Sequence, residues 1–165
     1  LGQSEIGARY RLAATGAAVF SLQGSLRIQG RKRRDRVAQI GATDTEVDLR
    51  ALAGWNFKLA RHDGFADVQG AYRMRNGGPP NEFRLDATLG LRPAKRLLVM
   101  AQYFHVRSDG AGTAGFGKHR YSNLYLSGVY DLGARWSLQL GHIATLSGRN
   151  ALRERGLAAA IWHRF

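Results

Sequence analysis

The sequence predicts an all-β fold, an antiparallel up-and-down β-barrel that crosses a membrane with its strands. Apolar and polar residues alternate along most of the chain, and no 3.6-residue repeat competes with that alternation. Short turns also alternate with longer connections, as they do in barrels of this class. Glycine is abundant, with 21 residues, and proline is scarce, with 3, which suits many strands joined by tight turns. We expect a single β-barrel domain over residues 1–165, since this length suits one domain.

The composition limits the chemistry that the chain can carry. It has no cysteine, so disulfides and thiolate metal sites are excluded. No metal-ligand spacing or phosphate-binding glycine loop occurs, and we expect neither a metal nor a cofactor. No run of 18 apolar residues could form a transmembrane helix, but strands hide their hydrophobicity in alternate positions. The net charge of +13 predicts an anionic partner: nucleic acid, lipid head groups or anionic solutes.

Nine alternating segments account for most of the chain, each about long enough to cross a hydrocarbon layer as a tilted strand. They comprise residues 5–13, 17–29, 46–59, 65–75, 82–92, 96–106, 121–132, 136–147 and 151–165. The fifth alternates without exception, whereas Leu52 interrupts the third. The sixth is ambiguous, because Leu98, Met100 and Phe104 occupy its expected polar face.

The connections and the aromatic residues both suggest an orientation. Short turns follow the first, third, fifth and seventh segments, and longer connections follow the second, fourth and sixth, which is typical of periplasmic turns and extracellular loops. The eighth connection is an exception among the longer ones. On the apolar faces, aromatic residues gather at two heights, which predicts an aromatic girdle at each membrane interface. These residues are Tyr10, Phe20, Trp55, Phe57, Tyr130, Trp136 and Phe165 toward the periplasm, and Tyr72, Phe83 and Tyr103 toward the outside.

The odd number of segments predicts further strands. Bacterial single-chain barrels have even strand numbers, so we expect one or three strands before the first segment and a barrel of 10 or 12 strands. The alternative is that residues 36–44 form a short extra strand, which gives ten.

Three runs carry a resemblance to a known family: QIGATDTEVDLRALAG, GGPPNEFRLDATLGLRP and SGRNALRERGLAAAIWHRF. They resemble porin-like barrels of proteobacteria that are grouped with outer-membrane proteins of aromatic-degradation (meta-pathway) systems. The last strand, which ends in Phe165, resembles the closing strand of outer-membrane barrels. The resemblance implies the outer membrane of a Gram-negative bacterium, around twelve strands, and recognition of the terminal strand by the barrel-assembly machinery. It implies little about a solute.

The inward positions predict a charged interior of mixed sign. We expect the pore to be lined by Arg9, Arg11, Arg27, Arg50, Lys58, Asp67, Arg73, Glu82, Arg84, Asp86 and Arg92. The inward set also includes Glu5, Glu46, Asp48, Asp131, Glu154 and Arg164. Such groups could form an arginine-lined pore for small hydrophilic or anionic solutes. They could instead pair into a closed structural barrel that anchors or scaffolds an envelope protein complex.

Two further groups suggest contact with lipid. A basic cluster in the second connection is expected to contact lipopolysaccharide phosphates, and it lacks the interleaved aromatics of a nucleic-acid site. It consists of Arg31, Lys32, Arg33, Arg34 and Arg36. A third functional hypothesis is a lipid-modifying enzyme at the outer rim, which would use His105 or His119 with Ser108 and Asp109. We expect no enzyme, and therefore no catalytic residue, because nothing in the sequence brings these groups together.

Overall fold

The computed structural model describes residues 3–29, 45–113 and 115–165, and within them it contains nine strands. They are β1 (Gln3–Thr15), β2 (Ala18–Gln29), β3 (Glu46–Leu59), β4 (His62–Arg75), β5 (Glu82–Ala94), β6 (Leu97–Ser108), β7 (Arg120–Asp131), β8 (Trp136–Arg149) and β9 (Arg155–His163). These nine strands agree with the nine predicted segments. In the described part of the chain, no helix has the length and apolar character needed to span a membrane.

All nine strands belong to one sheet, in which each strand pairs antiparallel with the next in the chain. The predicted antiparallel up-and-down order is therefore confirmed. The sheet is open, because β1 and β9 do not pair with each other. With an odd number of antiparallel strands, the two edge strands run in the same direction. The four short turns lie at one end of the sheet, called the turn end here, and the longer connections lie at the other, called the loop end.

The register places the two predicted sets of side chains on opposite faces. On one face, Leu26 lies opposite Val47, and Val47 lies opposite Met74. On the other face, Arg27 lies opposite Glu46, and Glu46 lies opposite Arg75. The register shifts at three places: at Leu12 of β1, between Leu91 and Ala94 of β5, and at Leu146 of β8, which has no partner between Ser122 and Asn123 of β7.

The polar face is the concave one. Side chains from non-adjacent strands meet on it: the Arg50 Nη1 of β3 lies 2.6 Å from the Asp86 Oδ2 of β5. At the turn end, Phe65 of β4 packs against Leu98 of β6 and Val129 of β7. Contacts that skip a strand require the sheet to curl toward that face.

Burial is inverted relative to a globular protein with an apolar core. Among the described residues, buried polar side chains outnumber buried apolar ones, and they include Glu46 and Asp48. Large apolar side chains of the convex face remain exposed, for example Ile6 at 69%, Leu140 at 58% and Ile161 at 71%. An apolar surface that extends over a whole sheet face indicates contact with something other than water.

The ambiguity of the sixth segment has a structural reason. Leu98 and Met100 do lie on the concave face of β6, where they are buried together with Val129. The Phe65 ring covers Gly90 of the neighbouring strand, where any Cβ would overlap the ring. These side chains, Phe65, Leu98, Met100 and Val129, form a small apolar cluster at the turn end of an otherwise polar face.

Candidate functional site: the charged network of the concave face

Ten charged side chains form a continuous charged network on the loop-end half of the concave face. Its members are Glu5, Arg27, Glu46, Asp48, Arg50, Arg73, Arg75, Glu82, Arg84 and Asp86. The network extends across five neighbouring strands, β1 to β5. Because each member comes from an inward position of its strand, the alternation of the sequence builds the network directly.

Glu46 is the centre of the network. Its carboxylate lies 3.0 Å from Arg27 Nη1, 3.5 Å from Arg73 Nη1 and 2.9 Å from Arg75 Nε. Only 6% of the Glu46 side chain is exposed. Asp48 lies two residues after Glu46 on the same face of β3 and has a similar environment. Its carboxylate is 3.1 Å from Arg73 Nη2. Each buried acid is therefore compensated by guanidinium groups of the adjacent strands, as a desolvated charge requires.

The network continues onto β5. Arg50 lies 3.3 Å from Asp48 and 2.6 Å from Asp86, so it links β3 to the strand beyond its neighbour. At the loop end, Glu82 lies 2.6 Å from Arg75 Nη1 and 3.2 Å from the Nε2 of His119. His119 belongs to the connection between β6 and β7, so this connection contacts the network.

Arg84 differs from the other arginines of the network. Its Nε is buried without a hydrogen-bond partner among the described residues, and its closest acid, Glu82, is 4.0 Å from Nη1. The cross-strand neighbours of Arg84 are Ala71 and Val106, neither of which offers a side-chain acceptor. The Arg84 side chain is 22% exposed on the concave face. Its charge is thus the least compensated one of the network.

Two long connections pack together beside the network. The Asp109 amide donates to the Asn81 carbonyl at 2.7 Å, and the Thr113 amide donates to the Gly78 carbonyl at 2.8 Å. The Tyr72 hydroxyl donates to Asp109 at 2.8 Å. These contacts fix the connections that follow β4 and β6 against each other at the loop end.

At the turn end, a second ionic centre joins three strands and Arg164, the residue that follows β9. Asp131 accepts a hydrogen bond from Ser137 at 2.6 Å and lies 3.0 Å from Arg92 and 2.9 Å from Arg164. Neutral polar groups cover the concave face between β7 and β9, where Gln139 accepts a hydrogen bond from Trp162 at 2.9 Å. Its residues occupy inward positions of the predicted alternation, but they carry no charge that would mark the region in the sequence.

The predicted pore-lining residues differ in their surroundings. Six of them lie in the network: Arg27, Arg50, Arg73, Glu82, Arg84 and Asp86. Asp67 instead accepts a hydrogen bond from Gln69 at 2.6 Å, and Arg92 pairs with Asp131 at the turn end. Arg9 and Arg11 are exposed near the open edge of the sheet, and Arg9 donates to Gln23. Lys58 is 78% exposed at the turn end, 3.9 Å from Asp63.

Most of the predicted aromatic residues lie near the two ends of the convex face, whereas Tyr10 and Tyr103 lie near the middle of β1 and β6. Tyr72 and Phe83 contact each other at the loop end, with ring centroids 4.7 Å apart. At the turn end, the Trp136 ring lies 4.3 Å from that of His163, which in turn lies 4.9 Å from Phe165. Trp55 lies in the row next to the first turn, opposite Ala18. The interpretation as two membrane girdles stays a prediction.

The side chains considered for an enzyme do not form a nucleophile–base pair, although Ser108 and His119 are neighbours: the Ser108 Oγ accepts a hydrogen bond from the His119 backbone amide at 2.9 Å. Ser108 donates to the Gly110 carbonyl, Asp109 accepts from Tyr72, and His119 faces Glu82. His105 instead lies on the convex side, with Nδ1 at 2.8 Å from the Oγ of Ser122.

This Ser122–His105 pair lacks the other parts of a hydrolytic site. Ser122 is 5% exposed, and its Oγ also accepts a hydrogen bond from the Tyr103 hydroxyl at 2.9 Å. Among the described residues, no acid orients the imidazole, which a nucleophile–base pair normally requires. The two side chains form a local polar contact between β6 and β7, beside the register shift in the pairing of β7 with β8.

Two predictions lie outside the described residues. These are the basic cluster Arg31, Lys32, Arg33, Arg34 and Arg36, and the possible extra strand at residues 36–44.

The chain was compared with protein-family models, curated proteins and solved structures. No family model, curated protein or solved structure matched it.

Proposed function

We propose that β1–β9 form most of the wall of a β-barrel in a Gram-negative outer membrane, and that the concave face lines a pore for small hydrophilic or anionic solutes. One observation carries the proposal: the face that curls inward holds the charged network, and the opposite face exposes large apolar side chains along its whole width. A membrane barrel with an aqueous interior needs this distribution.

The open sheet edges define what closure requires. In a bilayer, every backbone amide and carbonyl must be paired, so β1 and β9 need strands beside them. Because β1 and β9 run in the same direction, an odd number of further antiparallel strands closes the sheet. Closure with one or three strands gives the 10 or 12 expected from the sequence, and the porin-like resemblance remains part of this proposal.

The selectivity for anions rests on Arg84. Pore-lining guanidinium groups favour anions when their charge is not neutralised by neighbouring acids. The other arginines of the network have an acid within 3.5 Å, whereas Arg84 has a buried Nε without a described acceptor. We therefore assign the contact with a passing anion to Arg84.

A closed structural barrel is the second candidate, and the apolar cluster favours it. Phe65, Leu98 and Met100 lie together near the turn end of the concave face, where an apolar constriction would exclude water and ions. In that case the charged network would rigidify a scaffold for an envelope complex.

Planar-bilayer recordings of the protein decide between the two. A pore gives discrete conductance steps, and in a KCl gradient its reversal potential shifts toward that of chloride. Arg84→Gln should reduce the permeability ratio of chloride to potassium by about half or more, because it removes the least compensated charge of the network. Arg61→Gln, which removes the same charge from an exposed turn, is the matched control and should leave the ratio unchanged.

The outcomes are distinct. Absence of conductance at any voltage, with the protein inserted in the bilayer, would rule out the pore function and support the structural barrel. Conductance with the same ion preference in both variants would support the pore function and show that Arg84 does not determine its selectivity.

A further inference from the structure

A row of three arginines crosses the convex face at the loop end. Arg107 of β6 lies directly opposite Arg120 of β7, and Arg120 lies directly opposite Arg149 of β8. On the other side of Arg107, the same row continues with Phe83. All three arginines are exposed. The row therefore belongs to the apolar face of the sheet and is separate from the charged network on the concave face.

The charge of this row is not compensated by the described residues. None of the three guanidinium groups has an ion pair or a side-chain hydrogen bond among them. Directly opposite residues have Cβ atoms about 4.5–5.5 Å apart, and like charges in such positions destabilise a sheet. Two successive pairs of this kind within one row concentrate positive charge where an anion would relieve the repulsion.

The surface beside the row changes from polar to apolar. A depression of about 320 Å³ is lined by Phe83, Arg84, Leu85, His105, Arg107, Ser108, Asp109 and Gly110. The Asp109 carboxylate in this lining accepts a hydrogen bond from the Tyr72 hydroxyl. Arg107 and Phe83 share the row nearest the loop end, and Leu85, opposite His105, lies one row further toward the middle of the strands. A phosphorylated amphiphile has the complementary order, with charge at the surface and hydrocarbon below it.

We propose that Arg107, Arg120 and Arg149 form a binding site for the phosphates of lipopolysaccharide lipid A. Guanidinium groups bind phosphate through paired charge-assisted hydrogen bonds, and the acyl chains would lie along Phe83, Leu85 and the convex face below them. The site is different from the basic cluster of residues 31–36. It rests on the proposed membrane position, with the loop end outward, but it does not depend on an open pore.

The test compares binding of lipid A to the protein in detergent micelles. Bis-phosphorylated lipid A is the probe, and lipid A without both phosphates measures the apolar contribution alone. The triple variant Arg107→Gln, Arg120→Gln and Arg149→Gln should bind the phosphorylated probe at least ~10-fold more weakly, because charge-assisted contacts are lost. The matched control changes three exposed turn-end arginines: Arg61→Gln, Arg96→Gln and Arg135→Gln.

Each outcome has one meaning. The proposal expects the control to bind like the unmodified protein, the dephosphorylated probe to bind equally weakly to all three proteins, and inorganic phosphate to compete poorly. Equal losses in the two triple variants would show a general charge effect and would overturn the proposal. Equal affinity for both probes would overturn it too, while effective competition by inorganic phosphate would show a free-anion site instead. Conductance is not measured here, so failure of the pore leaves this test intact.

Discussion

Replacement of Glu46 by glutamine tests whether the charged network holds the sheet together. Glu46 is almost fully buried and contacts Arg27, Arg73 and Arg75, which come from both strands beside β3. Glutamine keeps the size of the side chain and one acceptor oxygen, but it removes the charge. Its amide group would also face a guanidinium group with which it cannot form a hydrogen bond.

The magnitude follows from these contacts. Two of the three guanidinium contacts are 3.0 Å or shorter, and a hydrogen bond to a charged group contributes about 1.5–3 kcal/mol. Since the amide oxygen retains one acceptor, we expect Glu46→Gln to lower the free energy of unfolding by about 3 kcal/mol, at the lower end of the cost of breaking a buried ion pair. Glu5→Gln removes the other acid that contacts Arg27, but the Glu5 side chain is 45% exposed, so we expect less than about 1 kcal/mol.

Urea-induced unfolding of the protein from lipid vesicles measures both changes, with the fluorescence of the three tryptophans as the signal. The two variants must be compared at the same lipid composition and salt, because both change net charge by one unit. Equal losses of stability for Glu46→Gln and Glu5→Gln would contradict the argument, since burial would then not decide the strength of the ion pairs.

Two further changes test local packing. Gly90→Ala should lower the free energy of unfolding by about 1–3 kcal/mol, because the added methyl group would overlap the Phe65 ring. Gly70→Ala is the control, because the space around its added methyl group is open. An equally large loss of stability in Gly70→Ala would contradict this reasoning. Ser122→Ala should cost about 1 kcal/mol through the lost contact with His105 and leave the acyl pattern of membrane lipids unchanged by mass spectrometry. An altered acyl pattern would support the enzyme hypothesis.

Most of the fold could be predicted because a strand encodes its two faces in alternate residues. The third segment shows this well: its predicted limits coincide with β3, and Leu52, its misfit, lies buried on the concave face opposite Ser21 and Gln69. The ninth segment was predicted too long. Asn150 adopts a positive φ of 53°, and residues 150–154 form a connection before β9 begins.

The candidate site was less predictable, because alternation specifies a face but not the depth or the diagonal contacts on it. The sequence placed Arg50 and Arg84 in one inward set. Only the curvature of the sheet brings Arg50 within 2.6 Å of Asp86, two strands away, and leaves Arg84 without a close acid. Register shifts could not be predicted from the alternation either, and the contact between Ser122 and His105 lies beside one of them.

The two edge strands differ in a way that bears on closure. The inward side of β9 carries small residues, Ala158 and Ala160, and then Trp162 near the turn end, whereas the inward side of β1 carries Glu5, Arg9 and Arg11. A strand that pairs with β1 therefore lies next to charged inward side chains and must place polar inward residues beside them. A strand that pairs with β9 has space for large inward side chains beside Ala158 and Ala160, but must accommodate the Trp162 ring near the turn end. If one added strand closes the sheet, its inward residues must satisfy both edges at once, whereas three added strands can divide the two requirements between them.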